Sequence, residues 1–190
     1  MTILINNAGI VNGKKLLDTS QAMMKKTLEV NTLAHLYTIK EFMPDMIKAN
    51  KGHIVTVASM AAHSAIAAMS DYCASKSGAY AIDESIRMEI SKNGWNIQTT
   101  CICPYYINTG MFEGVSSPFI PILDKNWVTW RIITGMLQNE SQVYLPWILG
   151  YVFLLRGFLP VALCDMSTKM LGINNSMDDF KGSKSAKKTP

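Results

Sequence analysis

The sequence predicts an α/β protein built on a parallel sheet, and three observations predict it. The elements read as strand, helix, strand, helix, strand with short connections, an order that calls for right-handed crossovers rather than hairpins. The first strand, residues 2–6, is a continuous apolar and β-branched run, as a strand buried in a parallel sheet requires. Small and polar residues then follow each strand: Asn7 to Gly9, Ser59, and residues 104–109. In such sheets ligands sit beyond the carboxyl ends of the strands, so these stretches are predicted to share one site.

After the first strand, Asp18 to Ser20 offer helix-starting side chains, and Leu28, Leu36, Ile39, Met43 and Ile47 recur at helical spacing toward Gly52. This predicts one long amphipathic helix, kinked at Pro44. Asn31 lies in its middle and marks a bend or a polar network, because its side chain competes for backbone hydrogen bonds. Residues 53–58 (HIVTVA) form the second strand and deliver Ser59 at its end. Residues 71–92 form the second long helix, with Ile82, Ile86 and Ile90 four apart and Gly94 as its stop. Residues 96–103 form a third strand that Pro104 ends. Beyond Thr109 the pattern weakens to a helix over 125–139 and a short last strand over 142–145.

Composition narrows the class. With 190 residues, 48% hydrophobic and 17% charged, the chain is long and apolar enough for one domain with a real core. Its net charge of +4 resides in the last ten residues, which hold four lysines and no acid, so the body is neutral (4 − 4 = 0) and carries no nucleic-acid footprint. Cys73, Cys101, Cys103 and Cys164 form no C-x-x-C pair, and no histidine stands near them at ligand spacing, so no metal site is expected. They read as reduced thiols, with Cys101 and Cys103 divided between core and solvent. His35, His53 and His63 read as surface or hydrogen-bonded residues, and the two N-x-S sequons at Asn139 and Asn174 as inert. No charged leader precedes the first apolar run. Residues 144–164 carry one charge, Arg156, but Pro146 and Pro160 make a spanning helix a poor fit. A helix packed on the cleft or lying in a membrane interface fits better.

Tyr72 and Lys76 are four apart on the second long helix and therefore share a face. A tyrosine titrates near pH ~10, and lowering that by about 3 units takes roughly 4 kcal/mol, which a cation in a partly dry cleft supplies. The spacing predicts Tyr72 as an acid/base near neutral pH, with Ser59 orienting the same substrate oxygen.

Taken together, NNAG at 6–9, Ser59, the YCASK run at 72–76 and residues 104–109 resemble the short-chain dehydrogenase/reductase family over about residues 1–112. INTGMFEG at 107–114, VYLP at 143–146, and the residues 171–173 and 177–180 resemble its retinal/retinol dehydrogenase subgroup nearly to Phe180. The resemblance implies the C-terminal part of a Rossmann-like doubly wound parallel sheet, lacking the first glycine-rich βαβ units. It implies hydride transfer between NAD or NADP and a lipophilic alcohol or aldehyde, retinoid or steroid-like. Tyr72 is then the acid/base, Ser59 orients the carbonyl, and Lys76 lowers the tyrosine pKa and binds the nicotinamide ribose. Asn31 completes the proton relay by holding a water. Asn7, Ala8 and Gly9 face the adenine-ribose side, while Pro104, Ile107 and Thr109 hold the nicotinamide amide. Tyr105 departs from the glycine common after that proline.

The glycine-rich TGxxxGxG turn that precedes NNAG in the family is absent from these 190 residues. This predicts an N-terminally truncated chain that binds dinucleotide poorly, folds marginally and exposes an apolar edge at its first strand. A catalytically silent dimerisation partner is the alternative. The expected organisation is a partial catalytic domain over 1–142, a substrate lid or membrane-associating segment over 143–177, and a disordered basic tail over 178–190. The subgroup further implies a cytosol-facing place on endoplasmic reticulum or lipid droplets, with a cytoplasmic alternative, and homodimers formed through the two long helices. Lys187 and Lys188 resemble a dilysine retrieval signal.

Overall fold

The computed structural model describes residues 2–182. Four strands, β1 (Ile3–Asn6), β2 (Gly52–Val57), β3 (Ile97–Pro104) and β4 (Gln142–Leu145), form one parallel sheet in the order β1-β2-β3-β4. The predicted fold class is the observed one.

The first helical region is not a single helix kinked at Pro44. Helix α1 (Gln21–Leu28) begins at Ser20, whose hydroxyl accepts from Met23 N–H at 3.3 Å. A π-helical turn over Glu29–Leu33 then leads into α2 (Ala34–Lys48), which continues through Pro44. The interruption sits at Asn31, buried within that wide turn, so the asparagine rather than the proline marks the break. Helix α3 (Ser70–Asn93) ends in the left-handed Gly94, at φ 66°, a conformation that glycine adopts without a Cβ penalty. Helix α4 (Lys125–Leu137) starts at Asp124, whose carboxylate accepts from the N–H groups of Asn126 and Trp127. Such a cap is worth about 1 kcal/mol.

The two sheet faces are covered differently. Leu4 and Ile54 pack with Ile39, Met43 and Met46 of α2 and Ile90 of α3 on one face. Val55, Ile102, Val143 and Leu145 pack with Val128 of α4 on the other. Helices α2, α3 and α4 each connect neighbouring strands while the chain steps in one direction across the sheet. The third crossover passes on the opposite face, so it has the opposite hand to the first two, for which alone a right-handed crossover was expected. Strand β1 lies at the edge, with Leu4 and Asn6 buried but Ile3 and Ile5 45% and 53% exposed. It is half-covered rather than buried on both faces, with Ile3 and Ile5 on the uncovered face.

The segment after β4 forms two short helices, α5 (Ile148–Arg156) and α6 (Val161–Met170), parted at Pro160. No helix among the described residues is long and apolar enough to cross a membrane. The chain beyond Met177 was expected to be disordered, but its first part folds back. Met177 is buried, Phe180 packs beside it, and Lys181 N–H donates to Glu113 C=O at 2.9 Å. Phe180, read as part of a disordered tail, packs against this core cluster. Lys187 and Lys188 lie outside the described residues.

Candidate active site

A cavity of about 870 Å³ opens at the carboxyl edge of the sheet. Asn7, Ala8, Gly9, Ser59, Tyr72, Lys76, Pro104, Ile107 and Thr109 all line it. Asn31 stands behind the wall, fully buried, its Oδ1 3.5 Å from where a Cβ on Gly9 would be. The sequence-predicted site residues are thus brought together.

Each is positioned by its element. Ser59 stands two residues beyond β2, at the start of a short helical turn over Met60–Ala62; its Oγ accepts from Ala61 N–H at 3.1 Å and donates to Pro104 C=O at 3.5 Å. Tyr72 and Lys76 rise from the first turns of α3, with the Lys76 Nζ 5.9 Å from the Tyr72 ring centroid. That ammonium donates to Val57 C=O at 2.7 Å, which ties α3 to the end of β2. Asn31 holds the loop after β1 through Ile10 and holds α3 through Ser75 Oγ at 2.9 Å. Ser75 Oγ in turn donates to Tyr72 C=O at 2.7 Å. A bond from Thr109 N–H to Ile107 C=O at 2.8 Å turns the 104–109 loop into the cavity.

The electrostatics differ from the expectation for Tyr72. Burial pushes its phenol well above the ordinary tyrosine value, and the Ser59 hydroxyl opposes that only in part. The Lys76 ammonium is committed to Val57 C=O and is itself held down at about 8 by burial. Within this chain Tyr72 is a protonated hydroxyl, suited to donating.

Cys101 and Cys103 do not divide between core and solvent. Residues two apart on a strand share a face, and both are buried in one cluster. The neighbouring thiol pulls Cys103 down and pushes Cys101 up, and His63 Nε2 lies 3.6 Å from Cys103 Sγ. All four cysteines are free, as expected of reduced thiols. His53 pairs with Thr100 Oγ1 at 2.8 Å, but His35 is buried with neither ring nitrogen bonded, contrary to its reading as a surface or satisfied residue.

Several site-building residues escaped the sequence reading. Asp71 accepts from Asn12 Nδ2, from Thr27 Oγ1 at 3.0 Å and from Tyr72 N–H at 2.9 Å, fixing the start of α3 against α1 and the β1 loop. An aspartate in the first turn of the helix that carries Tyr72 was the available signal. Phe112 meets the Tyr72 ring edge-on, with centroids 5.8 Å apart, and Met177 and Phe180 pack in the same cluster. These contacts join distant parts of the chain, and no local pattern announces them.

Comparison with known proteins agrees with the geometry. The sequence model described as short chain dehydrogenase matches residues 1–118. The chain is 40% identical over 188 residues to epidermal retinol dehydrogenase 2 of Mus musculus, covering 97% of this chain and 61% of that one. It is 37% identical over 161 residues to estradiol 17-beta-dehydrogenase 11 of Macaca fascicularis, covering 84% and 54%. The chain therefore spans little more than half the length of these relatives. Among solved structures, a short chain dehydrogenase from Burkholderia cenocepacia in complex with NADP superposes with a TM-score of 0.68 at 26% identity, covering 76% of this chain and 59% of that one.

Proposed function

The chain belongs to the short-chain dehydrogenase/reductase family of oxidoreductases, and from that premise we propose that it acts on a lipophilic alcohol or aldehyde of retinoid or steroid type. One observation carries the reading: Ser59, Tyr72 and Lys76 converge on a single cavity whose remaining wall is chiefly apolar. NAD or NADP supplies or accepts the hydride when bound. The Ser59 hydroxyl holds the substrate oxygen, and the Tyr72 O–H gives that oxygen a proton as a carbonyl is reduced, or regains it in the reverse direction. Lys76 keeps a positive charge beside the ring, and Asn31 fixes the loop on which Asn7, Ala8 and Gly9 face the adenine-ribose side. Pro104, Ile107 and Thr109 hold the nicotinamide amide.

The fit to the nicotinamide-ribose part rests on Gly9. A Cβ there would stand 3.4 Å from the Lys76 Nζ, so glycine keeps the ground before the ammonium clear. Residues 143–177 serve as the substrate wall, since Leu149, Val152, Phe153 and Leu159 line the cavity. The outer apolar side chains of α5 and α6 support a place on a cytosol-facing lipid surface, of endoplasmic reticulum or droplets, with a cytoplasmic location as the alternative. Exposed Leu36 and Tyr37 on α2 and Met88 on α3 support a homodimer through these helices.

Hydride transfer between retinol and NAD or NADP, followed for the chain and for Tyr72→Phe, tests the reading. The variant is expected to lose about 10³-fold in kcat/KM. Equal activity in both overturns the assignment. Exposed Leu36 and Tyr37 on α2 also fit a second reading, a silent dimerisation partner that binds no dinucleotide. Calorimetric NAD(H) binding in the low-micromolar range rejects that one.

A further inference from the structure

We propose that Arg156 anchors the substrate, and that the cavity takes a two-headed amphiphile: an apolar body bearing the reacting alcohol or aldehyde, and a carboxylate that meets this arginine. The assignment of the reacting end rests on the function proposed above; the assignment of the charged end rests on Arg156 alone.

Arg156 is the only charged residue between Pro146 and Cys164, and it closes the last turn of the apolar helix α5. It lines the same cavity as Tyr72 and Ser59. The other charged lining residue is Lys76, and the lining contains no aspartate or glutamate. The two cations differ in how they are occupied. Lys76 is buried and donates to Val57 C=O. The Arg156 guanidinium donates through Nη1 alone, to Ser64 Oγ at 2.6 Å and to His63 C=O at 3.3 Å. Among the described residues no carboxylate lies within ion-pair distance of it, and its Nε–H and Nη2–H groups meet no acceptor.

A cation at the end of a helix is stabilised by the last carbonyls, and that accounts for a basic residue at this position. It does not account for the direction of this one, which turns away to residues 63 and 64 and is fixed there at the cavity wall. A guanidinium half-withdrawn from water without a counter-charge is costly, and its planar fork of donors matches the two oxygens of a carboxylate. Ser64 also lines the cavity and holds the fork in place, so the anion meets a fixed group rather than a mobile side chain.

The probes are ω-hydroxypalmitic acid and its methyl ester, which share the reacting alcohol and the apolar body and differ only in the charge at the far end. Binding is measured by calorimetry, and turnover by hydride transfer to NAD and NADP, for the full chain, Arg156→Gln and Arg156→Lys. The acid is expected to bind about tenfold to a hundredfold tighter than the ester. That ratio is expected to fall to about one in Arg156→Gln and to recover partly in Arg156→Lys, whose ammonium is a point charge without the fork. Equal binding of acid and ester by the unaltered chain overturns the proposal, and this comparison needs no variant to fold. Turnover of both probes with equal KM also overturns it while leaving the oxidoreductase reading intact. An arginine-dependent preference in binding with no turnover of either probe supports the anchor and removes the oxidoreductase reading instead.

Discussion

Asn31 grips Ile10 by both of its backbone polar groups: its Oδ1 accepts from Ile10 N–H at 2.8 Å and its Nδ2 donates to Ile10 C=O at 2.9 Å. The same amide reaches Ser75 on α3, so one buried side chain joins the β1 loop, the π-helical turn and the helix carrying Tyr72. Asn31→Ala strands these partners in the interior and is expected to cost about 3 kcal/mol of stability. Urea unfolding of the two proteins measures it, and a loss under about 0.5 kcal/mol removes the clamp from the account.

Two buried groups pull the pH dependence of stability in opposite directions. His35 is held at about 4, below its ordinary 6.5, by burial and then by Lys76, so its contribution is present above pH 6.5 and is lost as pH falls through 4. Asp83 is raised by burial from 3.8 to about 6, so its contribution is present below pH 3.8 and is lost as pH rises through 6. Each shift corresponds to about 3 kcal/mol, and between pH 4 and 6 they offset one another. Asp83→Asn should unmask a fall in stability toward acid, and His35→Gln a rise. Denaturant midpoints across this range decide, and parallel profiles for both variants contradict the assignment.

Phe180 occupies the space that a side chain on Gly13 would need, and Gly13 has φ +61°. Gly13→Ala therefore meets both a strained backbone and the Phe180 ring, with an expected loss of about 1–3 kcal/mol. Adding Phe180→Ala should return the steric part and leave the backbone part. Additive losses in the double variant would show that the residues do not touch in solution.

On α5 and α6 the outward side chains include Leu154, Leu155, Val161 and Met170, and Phe158 in the link between them is 81% exposed. Phe158→Asp together with Met170→Glu is expected to abolish cosedimentation with phosphatidylcholine vesicles while leaving the melting temperature nearly unchanged. Undiminished cosedimentation assigns lipid contact to another surface.

Much of the fold was legible because its signals are local. Apolar runs ended by small residues marked the strands, the isoleucines of α3 kept their spacing, and Tyr72 and Lys76 needed only one helix to be neighbours. The cavity lining followed, since a parallel sheet brings all carboxyl ends to one edge. What could not be read depended on contacts between distant residues. Burial of Tyr72 outweighs the hydrogen bond from Ser59, and that burial follows from Phe112 and the returning segment near Met177, not from spacing along α3. Leu28 and Leu36, predicted to face the core, are 40% and 43% exposed, because the buried stripe runs one position earlier, through Thr27, Asn31, His35 and Ile39. That inward line carries polar side chains, which the stripe of leucines did not indicate.

The opposite hand of the third crossover determines how much room a ligand has. With α4 routed beneath β3 and β4, the upper side of those strands keeps Cys101, Cys103 and Tyr144 available for Leu149 and Phe153 of α5. A connection of the usual hand would lay α4 across that side and displace α5 from it. The volume offered to a large apolar molecule is thus decided by chain routing, some distance from the residues that would act on it.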